Sequence, residues 1–429
     1  MKAVYLTAGA AGMYCGSCMH DNALAKALIA NGVDCLLQPV YTPIRTDETS
    51  VATDRVFFGG IHIYLMQQWP WMRFVPESLR RTLDWKLLLN LATRKTHSTD
   101  AAKLGALAVS MLQGAHGQQS GEVRRLTRWL ADEVRPDAVV LSNLLIGGSL
   151  PMIRVALPNA RLVVVLQGDD IFLDHLPPKY RTQAIELCRD LVTSVDRFIV
   201  HSHFYAAKMG ELLQIPDHKM VITPLSIDVM PYQQDVPALP KDEDEFRLGY
   251  LARMAPEKGL HHLVDAFIRL AGDPSHQNLR LHAAGWLGEN NQTYFDEQQA
   301  KIDLASLGNR FMHHGSPSLE KKVAFLRSLD LLCVPTDYED PKGLFILEAL
   351  ASGVPVLQPD HGAFGELITA TGGGRTYRPG NLDELVRAIS DVKQDDHARL
   401  RWSDGGRRNV YANHSVERGA DHLKTILFG

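Results

Sequence analysis

The segment Phe246-Arg-Leu-Gly-Tyr-Leu-Ala-Arg-Met-Ala-Pro-Glu-Lys-Gly259 joins a short apolar run to a turn that carries two cations and a glycine. Directly after it, from Leu260 to Ala271, apolar residues recur at the spacing of one helix face. A strand, a turn and an amphipathic helix in this order form one half of a βαβ unit. The segment therefore predicts an α/β fold. It also places Arg253 and Lys258 at the carboxyl end of a strand, where open α/β sheets bind their ligands.

The same alternation of strand and helix patterns extends over most of the chain. The runs Ala138–Leu141, Leu162–Leu166 and Leu331–Val334 are rich in Val and Leu, which is typical of strands buried on both faces of a parallel sheet. At 429 residues the chain is too long for one ordinary core. We therefore expect two domains, each built from repeated βαβ units.

The predicted domains are an N-terminal domain over residues 1–235 and a C-terminal domain over 236–400. Helices over 401–429 are expected to pack back on the first domain. The boundary follows from residues 230–245, which are rich in proline and acidic side chains, as interdomain linkers are. Residues 67–135 interrupt the alternation and are interpreted as a helical insertion in the first domain.

Composition excludes several classes of protein. Apolar residues make up 45% and charged residues 22% of a chain with a net charge of −4, which argues against nucleic acid as a partner. The apolar run Ala3–Ala8 is too short for a secretory signal and predicts a first strand. Since no uncharged stretch approaches the ~20 residues of a membrane span, and five cysteines do not suggest a disulfide framework, we expect a cytoplasmic protein.

A second segment, Pro335-Thr-Asp-Tyr-Glu-Asp-Pro-Lys-Gly-Leu-Phe-Ile-Leu-Glu-Ala349, predicts an anion site. Its helix should begin near Gly343, where free backbone amides and the helix dipole favour negative charge. Asp340 would lie in the loop before that helix and Glu348 in its second turn. Because the neighbours of Glu348 are apolar, its carboxylate should need a partner.

A third segment, Gly353-Val-Pro-Val-Leu-Gln-Pro-Asp-His-Gly-Ala-Phe-Gly-Glu366, contains a short buried strand that ends in a loop at 361–364. Small residues in that loop permit close backbone approach to a ligand. Taken alone, each of the three segments also fits an ordinary solvated turn between a strand and a helix. Their order and spacing together favour a ligand site.

These three segments resemble the donor half of the retaining nucleotide-sugar glycosyltransferases of GT-B fold, the group 1 family. The resemblance covers residues 247–378 most closely and continues more weakly over 1–230. It implies an α/β GT-B fold in which two Rossmann-like domains face a central cleft. The N-terminal domain over 1–235 would be the acceptor side, and the C-terminal domain over 236–400 would bind the nucleotide sugar. The resemblance also implies transfer of a hexosyl unit, with retention and without a required metal or cofactor, from a UDP- or GDP-sugar to a glycan, lipid or small-molecule acceptor.

The resemblance assigns roles to residues of the second domain. Arg253 and Lys258 would hold the diphosphate, and Glu348 the ribose. Asp340 falls on the first acidic position of the family's Glu-x7-Glu motif, where Glu is usual, and would hold hydroxyls of the transferred sugar. Backbone amides would contact phosphate or sugar at the following positions: Gly343, Leu344, Gly362, Ala363 and Phe364.

In the first domain the resemblance points to a glycine-rich loop with Gly9, Gly12 and Gly16, where Gly16 would approach the donor phosphate. His20 is a candidate catalytic group by position. Where many members carry a histidine, this chain has Gln167, which leaves Asp169 as a candidate polar contact near the anomeric carbon. An equally good interpretation of Asp169 is an Asx-turn acceptor that stabilises a loop.

Other interpretations stay open. Cys15 and Cys18, with His20, could form a metal or redox module, although packing of small side chains in the loop is favoured and no metal site is predicted. The Trp69–Trp85 segment could contact a membrane surface, or fold as a flap on the first domain. A nucleotide-sugar binding protein or an epimerase without transferase activity is the alternative function. Neither the acceptor nor the oligomeric state follows from the sequence.

Overall fold

The computed structural model describes residues 1–9, 16–44, 49–53, 56–57 and 101–429. Within these residues the first sheet is parallel throughout, with strand order β2-β1-β3-β4-β5-β6. Its strands are β1 Lys2–Thr7, β2 Asp34–Pro39, β3 Ala138–Leu141, β4 Arg161–Val165, β5 Arg197–Val200 and β6 Met220–Ile222. The strands of the predicted Val- and Leu-rich runs are buried almost completely, as strands covered on both faces must be.

A second parallel sheet has the order β12-β11-β10-β7-β8-β9. Its strands are β7 Phe246–Leu251, β8 Leu279–Ala284, β9 Phe311–His313, β10 Leu331–Leu332, β11 Val356–Pro359 and β12 Gly374–Tyr377. Two parallel sheets with helical crossovers confirm the predicted α/β class with two Rossmann-like domains.

Helices connect these strands. In the first half of the described chain they are Gly16–Ala30, Ala101–Leu112, Ser120–Arg128, Leu150–Ala156, Asp169–Asp174, Pro178–Leu191 and His203–Leu213. In the second half they are Met230–Gln233, Leu260–Ala271, Gln292–Leu304, Leu319–Arg327, Leu344–Ala351, Phe364–Thr371, Leu382–Gln394, Asp396–Asn413 and Val416–Phe428. None of the described helices combines the length and apolar character needed to cross a membrane.

The chain divides into two compact units. The first comprises Met1–Val200, Ala206–Thr223 and Ala420–Gly429; the second comprises His201–Tyr205 and Pro224–Gly419. The division thus falls before Pro224, whereas the sequence placed it at 235/236. The reason is a set of bonds that hold the segment after Pro224 within the second unit: the Ile227 amide donates to the His414 carbonyl at 2.9 Å.

The predicted C-terminal block 401–429 is shared between the units. Residues up to Gly419 belong to the second unit, and Ala420–Gly429 belong to the first. There the Asn31 side chain donates to Asp421 at 2.9 Å, and Lys424 donates to the Asn31 carbonyl at 3.0 Å. The apolar side chains of Leu423 and Leu427 are buried.

Several predicted features lie outside the described residues. These are Gly12, Cys15, the Trp69–Trp85 segment and the part of the expected insertion up to residue 100.

Candidate functional site

The strand order of the second sheet locates its ligand-binding edge. Strand β7 lies between β10 and β8, so the order of the strands reverses beside it. Open α/β sheets bind ligands at the carboxyl ends of the strands at such a switch point. The turn after β7 carries Arg253 and Lys258, and the loop after β10 carries Asp340 and Gly343. Both connections therefore reach the same edge of the sheet.

Two features shape the turn after β7. The hydroxyl of the buried Tyr250 donates to the carbonyl oxygens of Arg253 at 3.0 Å and of Lys258 at 3.3 Å. Gly259 then takes a φ of +74°, and a Cβ atom there would lie 1.7 Å from the Pro335 carbonyl oxygen. The turn and the loop after β10 therefore pack backbone against backbone, which only glycine permits.

Lys258 and Asp340 form an ion pair at this edge, with side chains that are only 13% and 10% exposed. The Lys258 ammonium lies 3.0 Å from Asp340 Oδ2 and also contacts the Tyr338 hydroxyl. Burial alone would raise the pKa of Asp340. The charge of Lys258 and hydrogen bonds from Lys342 and Tyr338 outweigh burial and hold that pKa at about 2. The carboxyl group of Asp340 is therefore ionised at neutral pH.

The carboxylate of Asp340 accepts four hydrogen bonds. Oδ1 accepts the backbone amides of Lys342 at 3.0 Å and of Gly343 at 3.1 Å. Oδ2 accepts a hydrogen bond from the Lys258 ammonium and another, at 2.9 Å, from the Tyr338 hydroxyl. Since a carboxylate has about four lone-pair positions, Asp340 has little capacity left for sugar hydroxyls. In this arrangement it fixes Lys258 and the loop that leads into the helix Leu344–Ala351.

Glu348 has bonding partners for its carboxylate, as expected for a charged group among apolar neighbours. Its Oε1 lies 2.7 Å from the Lys322 ammonium and accepts the Tyr232 hydroxyl at 3.3 Å. Both partners are buried, whereas Glu348 itself is half-buried in the middle of its helix. Neither Lys322 nor Tyr232 was predicted from the sequence, because they lie 26 and 116 positions away from Glu348 along the chain.

Arg253 differs from Lys258 in its surroundings. Its guanidinium is partly exposed and pairs with Glu257, one turn later, at 3.2 Å. An exposed pair of this kind contributes little to stability. Arg253 can therefore exchange Glu257 for an anionic ligand at small cost, whereas Lys258 is held in place.

The backbone amides predicted to bind the donor fall into two groups. The amides of Gly343, Ala363 and Phe364 donate within the protein, to Asp340 Oδ1, the Asp340 carbonyl and the His361 carbonyl respectively. Gly362 takes a φ of +59° and packs against the Asp340 backbone. Leu344 begins the helix Leu344–Ala351, and of the first-turn amides that of Ile346 donates to the Gly343 carbonyl at 2.9 Å.

A cavity of about 820 Å³ opens beside Gly362. Glu339, Asp360, His361 and Glu366 are among the side chains that line it. Its volume lies in the range of small-molecule sites, and most of its charged lining is acidic. The cavity gives the region next to the predicted diphosphate site both room and hydrogen-bond acceptors.

In the first unit, the predicted site residues Asp169 and His20 are buried, and Asp169 belongs to a polar network. Asp169 accepts the backbone amides of Leu144 at 2.7 Å and of Gln167 at 3.1 Å, and burial raises its pKa to about 6 despite these bonds. The Gln167 amide lies two residues before Asp169, whereas an Asx turn uses the amide two residues after the aspartate, so this bond is not an Asx turn. His20 is 3% exposed. Gly16 begins the helix Gly16–Ala30.

Gln167 takes part in the same network. Its side-chain amide donates to Asp21 at 3.2 Å and to the Ser142 carbonyl at 2.7 Å. Asp21 also accepts the hydroxyls of Tyr5 at 2.9 Å and Thr7 at 2.8 Å. These contacts join the carboxyl ends of β1 and β3, where the first sheet has its own switch point. The central position of Asp21 in this network was not predicted.

Comparison with solved structures establishes the fold. The chain aligns over 99% of its length with 98% of a sucrose-phosphate synthase from Thermosynechococcus elongatus, at a TM-score of 0.70 and 17% identity. It aligns equally fully with Alr3699/HepE of Anabaena in complex with UDP, over 100% of that chain, at a TM-score of 0.66 and 17% identity. The chain therefore has the GT-B fold.

Sequence comparison identifies the family and the relatives that the chain resembles. Residues 232–409 match the family described as glycosyl transferases group 1. The chain is 28% identical over 180 residues to a lipopolysaccharide core biosynthesis mannosyltransferase of Rhizobium leguminosarum bv. viciae, a match that covers 42% of this chain and 49% of the relative. It is 29% identical over 161 residues to a glycogen synthase of Mycobacterium tuberculosis, which covers 38% of this chain and 37% of the relative.

The chain thus spans less than half the length of these curated relatives. The predicted resemblance to the group 1 glycosyltransferases of GT-B fold is confirmed, and it rests chiefly on the second unit, which carries the ion pair of Lys258 and Asp340.

Proposed function

We propose that the protein is a retaining glycosyltransferase that moves a hexosyl unit from a UDP- or GDP-sugar to a glycan, lipid or small-molecule acceptor. The observation that carries the proposal is the fixed ammonium of Lys258 at the switch point of a GT-B sheet, beside the opening of the helix Leu344–Ala351. Named relatives that transfer mannosyl and glucosyl groups, and a structural neighbour in complex with UDP-glucose, support it.

The chemistry required is stabilisation of the negative charge that grows on the leaving diphosphate. Lys258 supplies a cation that Asp340 and Tyr338 hold in position before the donor binds. Arg253 supplies a second cation, which can bind two phosphate oxygens at once after it leaves Glu257. Preorganised charge of this kind is usually the largest contribution to catalysis. The helix amides from Leu344 onward add a fixed positive potential.

We assign Asp340 a positioning role, because its carboxylate is already saturated by four donors. The hexosyl unit would then occupy the cavity beside Gly362, where Glu339 and Asp360 provide the carboxylates that accept bonds from sugar hydroxyls. Glu348 would bind the ribose hydroxyls while it retains or exchanges its bond from Lys322. This arrangement separates the nucleotide end of the donor from the sugar end.

A thermal-shift panel of nucleoside diphosphates and their sugars tests donor binding. A ligand at a hundredfold excess over its Kd stabilises the native state by about 2.7 kcal/mol, enough to raise the Tm by several degrees. We expect such a rise with uridine or guanosine diphosphate. Lys258→Ala should abolish it, while Lys321→Ala, which removes an exposed lysine of the same unit, should not.

The second measurement is turnover, followed as nucleoside diphosphate released from the donor sugar. Release by the wild-type protein and its loss in Lys258→Ala support transfer. Binding of the donor without any release across a panel of glycan and lipid acceptors would favour the nucleotide-sugar binding protein instead. Conversion of the bound sugar to its epimer would favour an epimerase. The absence of a shift with every nucleotide would contradict the donor site itself.

A further inference from the structure

Two histidines and an aspartate converge beside the turn after β7. His261 and His262 lie in the first turn of the helix Leu260–Ala271, and Asp337 lies in the loop after β10. The ligating atoms of the three side chains all lie within 4.8 Å of one another. His262 Nε2 is 2.6 Å from Asp337 Oδ1, and His261 Nε2 is 3.8 Å from Asp337 Oδ2. The proposed donor site uses none of these side chains.

Two imidazole nitrogens and one carboxylate oxygen form a ligand set that suits zinc and related transition metals. We propose that His261, His262 and Asp337 bind one divalent transition-metal ion, with zinc as the best fit. Around a tetrahedral ion with bonds of about 2.1 Å, ligand atoms lie about 3.4 Å apart. The two observed separations from Asp337 fall on either side of this value. Because Asp337 is half exposed, its side chain can rotate until its carboxylate lies at the ligand distance from both histidines.

Tyr294 provides a second layer of support for the site. Its hydroxyl oxygen lies 3.0 Å from His261 Nδ1 and accepts the backbone amide of the same histidine at 3.1 Å. A metal-bound histidine normally donates its other ring N–H to an oxygen, which fixes the ring and the tautomer. With Nδ1 donating to Tyr294, the lone pair of His261 Nε2 is available for the ion.

The two imidazole rings lie close together, with their centroids 3.9 Å apart. Both present a ring nitrogen to the same carboxylate, that of Asp337.

Occupation of this site would join two elements of the second unit. The Asp337 amide already donates to the Glu257 carbonyl at 3.1 Å, next to Lys258. An ion bound to Asp337 and both histidines would tie the loop after β10 to the helix that follows the turn after β7. It would also add positive charge close to Lys258. The inference does not depend on the proposed function, because it concerns metal binding alone.

Equilibrium dialysis of the metal-depleted full chain against zinc tests the site. We expect a zinc ion bound with micromolar affinity or tighter, and at least tenfold weaker binding in His261→Ala, His262→Ala and Asp337→Asn. His397→Ala is the matched control, because His397 is an exposed histidine of the same unit, and it should bind as the wild type does. Cobalt in place of zinc should give the visible absorption of a tetrahedral site, which His262→Ala removes.

Three outcomes would overturn the inference. The first is the absence of saturable zinc binding by the wild-type chain, which would reduce the cluster to a hydrogen bond between His262 and Asp337. The second is wild-type affinity in a correctly folded His262→Ala variant. The third is loss of binding in Cys18→Ser with retention in His262→Ala, which would place the ion at the cysteines of the glycine-rich loop.

Discussion

At the scale of single residues, the environment of Asp340 determines what its replacement should do. Asp340→Asn leaves the largely buried Lys258 ammonium without its counterion and turns an amide N–H₂ toward hydrogen-bond donors. Loss of one partner of a buried pair typically costs 3–5 kcal/mol. We expect the free energy of unfolding to fall by about 3 kcal/mol and nucleotide binding to weaken, as measured by urea denaturation and by titration with nucleoside diphosphate.

A matched control for this prediction lies in the same unit. Asp265 pairs with Lys301 at 2.8 Å, and both side chains are about 40% exposed. Asp265→Asn should therefore cost less than about 1 kcal/mol. Equal effects of the two substitutions would contradict the buried, saturated state of Asp340. Loss of sugar transfer in Asp340→Asn with unchanged stability and unchanged nucleotide binding would return this residue to direct contact with the sugar.

The residues of the donor site were only partly predictable from sequence. Lys258, Asp340 and Glu348 are recognisable because their spacing within short motifs is local. The bond from Lys258 to Asp340 spans 82 positions, and the one from Lys322 to Glu348 spans 26, so neither partnership is visible in the order of residues. The saturation of Asp340 depends further on the loop conformation that brings the Lys342 and Gly343 amides to one oxygen. The motifs therefore identify the site residues, whereas the side chains that bond to them become visible only in the folded structure.

At the scale of elements, the backbone contact between Gly259 and Pro335 carries a prediction. An alanine at position 259 would have to adopt a positive φ and place its Cβ into a carbonyl oxygen. We expect Gly259→Ala to lower the free energy of unfolding by at least about 2 kcal/mol, because left-handed strain alone costs about 1–2 kcal/mol. Separation of the turn from the loop should also weaken nucleotide binding.

Gly272→Ala provides the comparison for this substitution. Gly272 has a φ of −72°, and its added Cβ would meet only the Arg269 carbonyl oxygen at 3.5 Å. This variant should retain wild-type stability to within about 0.5 kcal/mol, since surface substitutions away from special features rarely do more. Chemical denaturation compares the stability of Gly259→Ala with that of Gly272→Ala. Similar denaturation midpoints for the two variants would contradict the close packing of the turn against the loop.

Elements were easier to predict than their ends and boundaries. The run Ala138–Leu141 is confirmed as a strand with those bounds, because continuous burial imposes an apolar run. The apolar run that begins at Phe246 is confirmed as the strand Phe246–Leu251. The predicted strand Leu331–Val334 is shorter, with ladder pairing only at Leu331–Leu332. The proline-rich segment 230–245 suggested a linker, yet it lies within the second unit. There Arg327 donates to the carbonyl oxygens of this segment, a contact from almost a hundred positions away.

At the scale of the whole molecule, buried histidines make the stability of the second unit depend on pH. Burial first, and then the positive charge of Arg247, lower the pKa of His282 to about 4. The neutral ring is therefore favoured in the native state, and protons bind more tightly to the unfolded chain. The contribution of neutral His282 to the free energy of unfolding is complete above the ordinary histidine pKa of about 6.5. It is lost progressively as the pH falls towards 4.

Thermal unfolding followed between pH 7 and pH 4 checks this expectation. The wild-type second unit should lose stability steadily over that window, and His282→Asn should show a shallower loss. His397→Asn, which removes an exposed histidine, should follow the wild-type curve. Parallel curves for His282→Asn and the wild type would show that His282 does not control the acid response.

The division of the chain between its two units has a consequence for protein synthesis. The first unit contains Ala420–Gly429, although almost two hundred residues of the second unit separate this segment from Thr223. Most of the first unit therefore leaves the ribosome before the segment Ala420–Gly429, which contains the buried side chains of Leu423 and Leu427, has been made. The second unit can reach its native contacts while the first still exposes an apolar surface. Newly made chains should accordingly depend on chaperones until residues 420–429 have emerged from the ribosome, and fragments that stop before residue 420 should aggregate.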